Sequence, residues 1–156
     1  MNIDIYAVGK LTESYWRQAC AEYLKRLGHY AKVTVVEVPD VSEQLFADRG
    51  DVLQQEAAGL RNRLKRCQRY IALDVSGELV SSEQLATLLQ EQIASGLGSL
   101  GFVIGGSCGL EPQLLQDSCH RLSFGRITLP HNLARVVLLE QLYRAFKIIR
   151  REPYHK

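Results

Sequence analysis

Hydrophobic positions along this chain switch repeatedly between two spacings: short, dense runs suited to strands, and longer stretches recurring every three to four residues, as helices require. Ile3 to Val8 is the first dense run and ends at Gly9. From about Thr12, Tyr15, Trp16, Ala19, Cys20, Tyr23, Leu24 and Leu27 recur at helical spacing, and Gly28 stands where a left-handed C-terminal cap is expected. Val33 to Val38 reads as a second strand, closed by Pro39-Asp40, and Val41 to Gly50 carries no pattern and reads as a surface loop. Leu53, Ala57, Leu60 and Leu64 then mark a helix whose other face bears Arg61, Arg63, Lys65 and Arg66.

Tyr70 to Val75 is almost continuously apolar, as a strand covered on both faces should be, and Ser76-Gly77 is expected to turn the chain. Ser81 and Gln84 have the form of a capping box, opening a helix stitched by Leu85, Leu88, Leu89 and Ile93 and stopped at Gly96. Leu100 to Ile104 is a fourth strand, and Glu111-Pro112 opens a short helix with proline in its first turn. Arg121 to Leu129 contains a fifth strand broken by Gly125, and a last helix runs from about His131 to Arg150. This β-α alternation predicts an α/β fold, a mainly parallel sheet with helices on both faces, forming a single domain over residues 1–156.

Composition adds little to that picture but excludes several classes. With 46% apolar and 23% charged residues the chain is neither disordered nor fibrous. Cys20, Cys67, Cys108 and Cys119 show no C-x-x-C spacing and read as free, buried thiols of a reducing compartment. There is no basic start followed by an apolar stretch, and no run approaches the roughly 20 residues that span a bilayer, so a soluble cytoplasmic protein without a membrane partner is expected.

Charge is informative only by segment. Residues 120–156 hold eight Lys or Arg against two acids, a net +6, leaving −4 for the rest of a chain whose formal charge is +2. Such asymmetry points to a polyanion partner, the plain alternative being a solvated helix face.

Open parallel sheets bind ligands beyond the carboxyl ends of their strands, which here are Leu73-Asp74, Gly105-Gly106 and Phe124-Gly125. Gly105-Gly106 is either a generic turn or a place where a flat ligand lies against bare backbone. A dinucleotide site is rejected: Ile104 stands where the first glycine of G-x-G-x-x-G belongs, and no acid follows about 20 residues on. The chain has no H-E-x-x-H, no Cys/His cluster at ligand spacing and no G-K-[ST] loop, so neither a metal centre nor a phosphate loop is expected. Ser107 beside Cys108 has no base supplied by local pattern. Glu140 and Arg144, at i and i+4, suit a helix-surface ion pair as well as a site.

Several segments together resemble the ribosomal large subunit methyltransferase H family: Ala7-Val8-Gly9-Lys10, Val103 to Leu110, Leu129-Pro130-His131, Arg135-Val136, Glu140-Gln141-x-Tyr143-Arg144-Ala145 and Pro153-Tyr154-His155-Lys156. The resemblance covers essentially the whole chain. It implies a small SPOUT-class enzyme with a C-terminal trefoil knot, an obligate homodimer, and S-adenosylmethionine as methyl donor. The implied reaction methylates N3 of a pseudouridine in helix 69 of 23S rRNA on assembled ribosomes. By position, the implied cofactor contacts are Leu73, Gly105, Phe124, Gly125, Arg126, Ile127, Thr128 and Leu129, to which the glycine pattern adds Gly106.

In-line methyl transfer needs acceptor and methyl carbon held in register, and an imide nitrogen must shed its proton, so a base or a stabilising cation should assist. The candidates are His155 and Tyr154, with Arg144 as electrostatic stabiliser oriented by Glu140. His155 would ordinarily be a frayed terminus, and only the resemblance raises it, by implying that one subunit's tail folds over the other's site. His131, at a helix start, is expected to be positional. Arg121, Arg126, Arg150, Arg151 and Lys156 are the expected RNA phosphate contacts. The alternative is a non-catalytic ribosome-binding or assembly factor using the same basic face.

Overall fold

Alternate residues of the strands feed two separate cores, which is why both sheet faces must be covered. In the computed structural model, which describes residues 1–42 and 48–154, the elements are β1 (Asn2–Val8), α1 (Ser14–Leu27), β2 (Lys32–Val38), α2 (Arg49–Leu64) and β3 (Tyr70–Leu79). They continue with α3 (Ser82–Ala94), β4 (Ser99–Ile104), α4 (Pro112–Asp117), β5 (His120–Ser123) and α5 (His131–Ile149). Ile3, Ile5, Ile71, Leu100, Phe102 and Ile104 point to one face, where Leu27 of α1, Leu85 and Leu89 of α3, and Leu138, Leu142 and Phe146 of α5 cover them. Tyr6, Val8, Val38 and Val103 point to the other, against Ala57, Leu60 and Leu64 of α2 and Leu114 of α4.

All pairings are parallel, in the order β2-β1-β4-β3-β5. The predicted α/β class and element order are therefore present. Of the four cysteines expected to be buried only Cys20 is, Cys67 and Cys108 being half-buried and Cys119 exposed. Three local expectations are also corrected. Gly28 is right-handed (φ −56), because the chain continues through a further turn in which Tyr30 and Ala31 both donate to Leu27 O. The unpatterned stretch yields earlier than expected: Asp48 caps Gly50 N and α2 starts at Arg49, while residues 43–47 of that expected loop lie outside the described residues. Ser76-Gly77 does not end β3. The chain loops out over 74–77 and rejoins β5, so that both Leu73 and Glu78 register with Leu122.

Other features match. The Ser81–Gln84 capping box opens α3, Pro112 sits in the first turn of α4, and Gly96 after α3 is left-handed (φ +74). The fifth strand is short, and residues 124–130 beyond it form a loop leading into α5. That helix turns back from the edge strand to the middle of the sheet, packing on α1 and α3.

Candidate functional site

The carboxyl ends of β3, β4 and β5 and the first turn of α5 surround a cavity of about 810 Å³. Of the predicted cofactor residues, Leu73, Gly105, Gly106, Phe124, Gly125, Ile127, Thr128 and Leu129 line it. Arg126 does not. Its Nη1 donates to Val75 O (2.5 Å) and Gly77 O (3.0 Å), tying the 124–129 loop to the looped-out part of β3. Ser123, buried at the end of β5, holds the same junction: Oγ accepts from Gly125 N (3.2 Å) and lies 2.7 Å from Gly125 O and 3.1 Å from Val75 O.

The two glycines after β4 line the cavity for a reason other than a ligand's approach. A Cβ on Gly105 would fall on the Gly109 carbonyl, and one on Gly106 would lie 2.9 Å from Glu56 Oε2 and 3.1 Å from Val8 Cγ1. Both missing side chains point into the protein, so glycine here allows the 105–109 loop to fold on itself, with Gly109 N donating to Gly106 O (3.1 Å). Bare main chain is then presented to the cavity as a result.

Behind the rim, Arg135 of α5 is 1% exposed. Its Nη1 pairs with Glu37 Oε1 at 2.6 Å and its Nη2 donates to Gly9 O at 2.9 Å. Gly9 is left-handed (φ +88), and a Cβ there would be 2.8 Å from His131 Nε2. The start of α5, which carries Pro130 and His131 to the cavity wall, is thus locked to the ends of β1 and β2. His131 itself lies against Gly9, on the cavity wall.

Glu140, Arg144 and Tyr154 do meet. Arg144 Nε and Nη2 donate to Glu140 Oε1 (3.0 and 2.7 Å), Tyr154 Oη donates to the same oxygen (2.8 Å), and the Arg144 guanidinium lies 4.0 Å from the Tyr154 ring centroid. Gln141 Nε2 donates to the other oxygen, Oε2 (2.5 Å), and itself accepts from Ser82 Oγ of α3 (2.7 Å). Burial, then the bond to Glu140, pushes the Tyr154 phenol up to about 12. It is therefore a hydrogen-bond donor at neutral pH, unsuited to act as a base. The Glu140 bond likewise raises Arg144. His155, the other tail candidate, lies outside the described residues, as does Lys156.

This cluster is not at the cavity of its own chain. Arg144 lies thirteen residues beyond His131 on α5, a rise of about 20 Å along the helix.

The basic surface is smaller than residue counting implies. Arg121 pairs with Asp74 (2.5 Å), Arg135 with Glu37, Arg144 with Glu140, and Lys147 with Glu152 (2.9 Å). Among the described residues of the C-terminal segment, Arg150 and Arg151 are the cations with no hydrogen-bonded carboxylate or carbonyl, although Arg150 acts on Glu152 at longer range, and Arg150 stacks 4.7 Å over Tyr30. Arg49, which the sequence reading did not single out, also lines the cavity. Nothing in its surroundings along the chain marked it, since it begins a helix after an unpatterned stretch. Among the described residues no helix is long and apolar enough to cross a membrane, and no group of three or more His, Cys, Asp or Glu could hold a metal ion.

A family model described as "Predicted SPOUT methyltransferase" matches residues 1–155. Proteins named Ribosomal RNA large subunit methyltransferase H from Listeria monocytogenes serotype 4a (strain HCC23) and serotype 4b (strain CLIP80459) are 51% and 50% identical over 159 residues, with 100% of both chains covered. Among solved structures, a probable methylase family protein from Haemophilus influenzae Rd KW20 aligns with a TM-score of 0.57 at 19% identity, covering 99% of this chain and 70% of that one. A probable methyltransferase from Bordetella pertussis Tohama I aligns at 0.59 and 13% identity, covering 92% and 95%. At such identities the two structures attest the shared fold.

Proposed function

The chain belongs to the SPOUT methyltransferase family, and from that premise we propose that it methylates N3 of a pseudouridine in helix 69 of 23S rRNA, on assembled ribosomes, as a homodimer. The observation that carries this reading is the main-chain-walled cavity at the strand ends. The methyl donor is S-adenosylmethionine, which when bound supplies a methyl group activated on a sulfonium.

The residues present fit that donor. A volume of about 810 Å³ is within the range of small-molecule sites, roughly 300–1,000 Å³. Leu73, Ile104, Leu122 and Leu129 give an apolar wall for a flat base, and the main chain of the 105–109 and 124–129 loops supplies hydrogen-bonding groups beside it. Ile127, 73% exposed, forms an apolar lip on which an acceptor base can rest. Holding donor and acceptor in line is then the chief task of the protein.

Deprotonation of the acceptor imide develops negative charge, which the Arg144 guanidinium, oriented by Glu140 and Tyr154, is suited to stabilise. Because this cluster stands about 20 Å along α5 from its own cavity, the reading has it serve the cavity of the second subunit. The surface of α5 supports a dimer. Leu133, Val136 and Val137 share a face with Glu140 and Arg144, and all are only partly covered by their own chain. A helix apolar on more than one side is built to be covered twice. His155 completes the tail on this reading.

The C-terminal segment is held to be threaded as a trefoil knot. In support, α5 follows the edge strand β5 yet lies centrally between α1 and α3, with its first turn against Gly9 at the end of β1. For RNA, the reading retains Arg121, Arg126, Arg150, Arg151 and Lys156, with most weight on Arg150 and Arg151. Arg151 holds a left-handed backbone (φ 55) that a non-glycine residue adopts at a cost, which fits a side chain kept for its charge. On this reading the protein works in the cytoplasm, where an rRNA substrate would be met.

The test is incorporation of labelled methyl from S-adenosylmethionine into ribosomes lacking the modification. Wild-type protein should label 23S rRNA and Gly105→Ala should not. Ribosome binding without label in either would favour a non-catalytic assembly factor.

A further inference from the structure

Two of the ionisable side chains on the wall of the cavity are already paired or packed within the protein. Asp74 pairs through Oδ2 with Arg121 at 2.5 Å and accepts Ser76 N through Oδ1 at 3.2 Å, and His131 packs on Gly9. Arg49 differs. Among the described residues it is the only Lys or Arg lining the cavity, and it is exposed there, in the first turn of α2. Its neighbour Asp48 spends Oδ1 on the helix cap at Gly50 N.

The methyl donor named under Proposed function, on which this inference rests, brings a nucleoside, a sulfonium and an amino-acid arm. The nucleoside is neutral and suits apolar and main-chain walls. The arm ends in a carboxylate, and a carboxylate leaving water needs a charged or multiply hydrogen-bonded partner. A guanidinium offers a fork matched to carboxylate geometry. It would repel the sulfonium, so it is expected to face the far end of the arm. We propose that Arg49 binds the carboxylate of the methyl donor's amino-acid arm, making α2 a third element of the donor site beside the two loops.

Calorimetry with two probes tests this. S-adenosylhomocysteine carries the arm, whereas 5′-methylthioadenosine has the nucleoside without the carboxylate. The Arg49→Ala variant should weaken S-adenosylhomocysteine about tenfold or more, the loss of one charge-assisted contact, and leave methylthioadenosine unchanged. Arg49→Lys should recover part of the difference. Equal weakening of both probes, or no change in either, overturns the assignment. A rise confined to KM for ribosomes, falling away at high salt, also overturns it and gives Arg49 to an RNA phosphate. Wild-type protein that binds neither probe would instead remove the donor site itself, so the two failures are distinguishable. Unchanged melting of both variants shows that the exposed position left the fold intact.

Discussion

At the scale of single residues, the site depends on atoms that are absent as much as on those present. Gly105→Ala drives a Cβ onto the backbone of Gly109, which no rotamer can relieve, so the loop must open. The expected outcome is loss of S-adenosylhomocysteine binding by calorimetry with a smaller fall in melting temperature. Gly106→Ala meets the end of the Glu56 side chain instead and should retain measurable affinity. Arg144→Ala and Tyr154→Phe act elsewhere: both should lower kcat and leave donor affinity nearly unchanged, which single-turnover kinetics and calorimetry can separate. The Tyr154 phenol, raised to about 12 from 10.0, stays protonated through the whole working range. Its folded-state pKa is above the unfolded one, so its contribution to stability is complete below pH 10 and is lost as pH rises toward 12. Accordingly, Tyr154→Phe should not remove an ionisation from the pH–rate profile between pH 6 and about 10. An ionisation that disappears in this variant would show the phenol to be the base.

Elements show what could be read in advance and what could not. Strand and helix order followed from spacing because the apolar runs are dense and the capping box at Ser81–Gln84 is local. The rule that glycine closes helices held at Gly96 but failed at two other helix ends, in opposite directions. Gly28 is right-handed, whereas α5 ends with Arg151 in the left-handed position, Glu152 N donating to Lys147 O and Arg151 N to Ile148 O. Arg151→Gly should therefore stabilise the fold by about 0.5 kcal/mol, the relief of strain less the entropy of glycine, while weakening ribosome binding. The buried Arg135 pair was equally hidden. Arg135 lies 98 residues from Glu37, and no local pattern joins them. Arg135→Met would leave the Gly9 carbonyl without its donor while Glu37, 35% exposed, rehydrates; a loss of about 2–3 kcal/mol in chemical denaturation is expected. The strand ends that line the cavity followed from the sheet rule, but Arg49 did not, because it joins the cavity wall only when α2 packs beside the β4 loop.

For the whole molecule, summed charge misled where pairing decides. Four of the eight cations in the C-terminal segment are matched by carboxylates, so the proposed docking to RNA falls to the few that are not. Assembly carries more weight. On the proposed reading, a cluster about 20 Å from its own cavity serves the cavity that a second subunit brings to it. Co-expressing Gly105→Ala with Arg144→Ala chains should then raise activity above that of either variant alone, since one site per mixed dimer would combine an intact rim with an intact arginine. Continued inactivity of purified mixed dimers would place both groups in one chain's site. Val137→Glu should yield monomers in sedimentation and lose turnover.

Everything converges on one chemical event, and the position of the transferred methyl group reports it most directly. Ribosomes lacking the modification, treated with the protein and S-adenosylmethionine, can be digested and the 23S rRNA fragments sequenced by mass spectrometry. The account predicts the mass of one added methyl group, on the base of a single pseudouridine in helix 69 and at N3. A methyl group on a ribose or at another site, or none on ribosomes that the protein demonstrably binds, would contradict it.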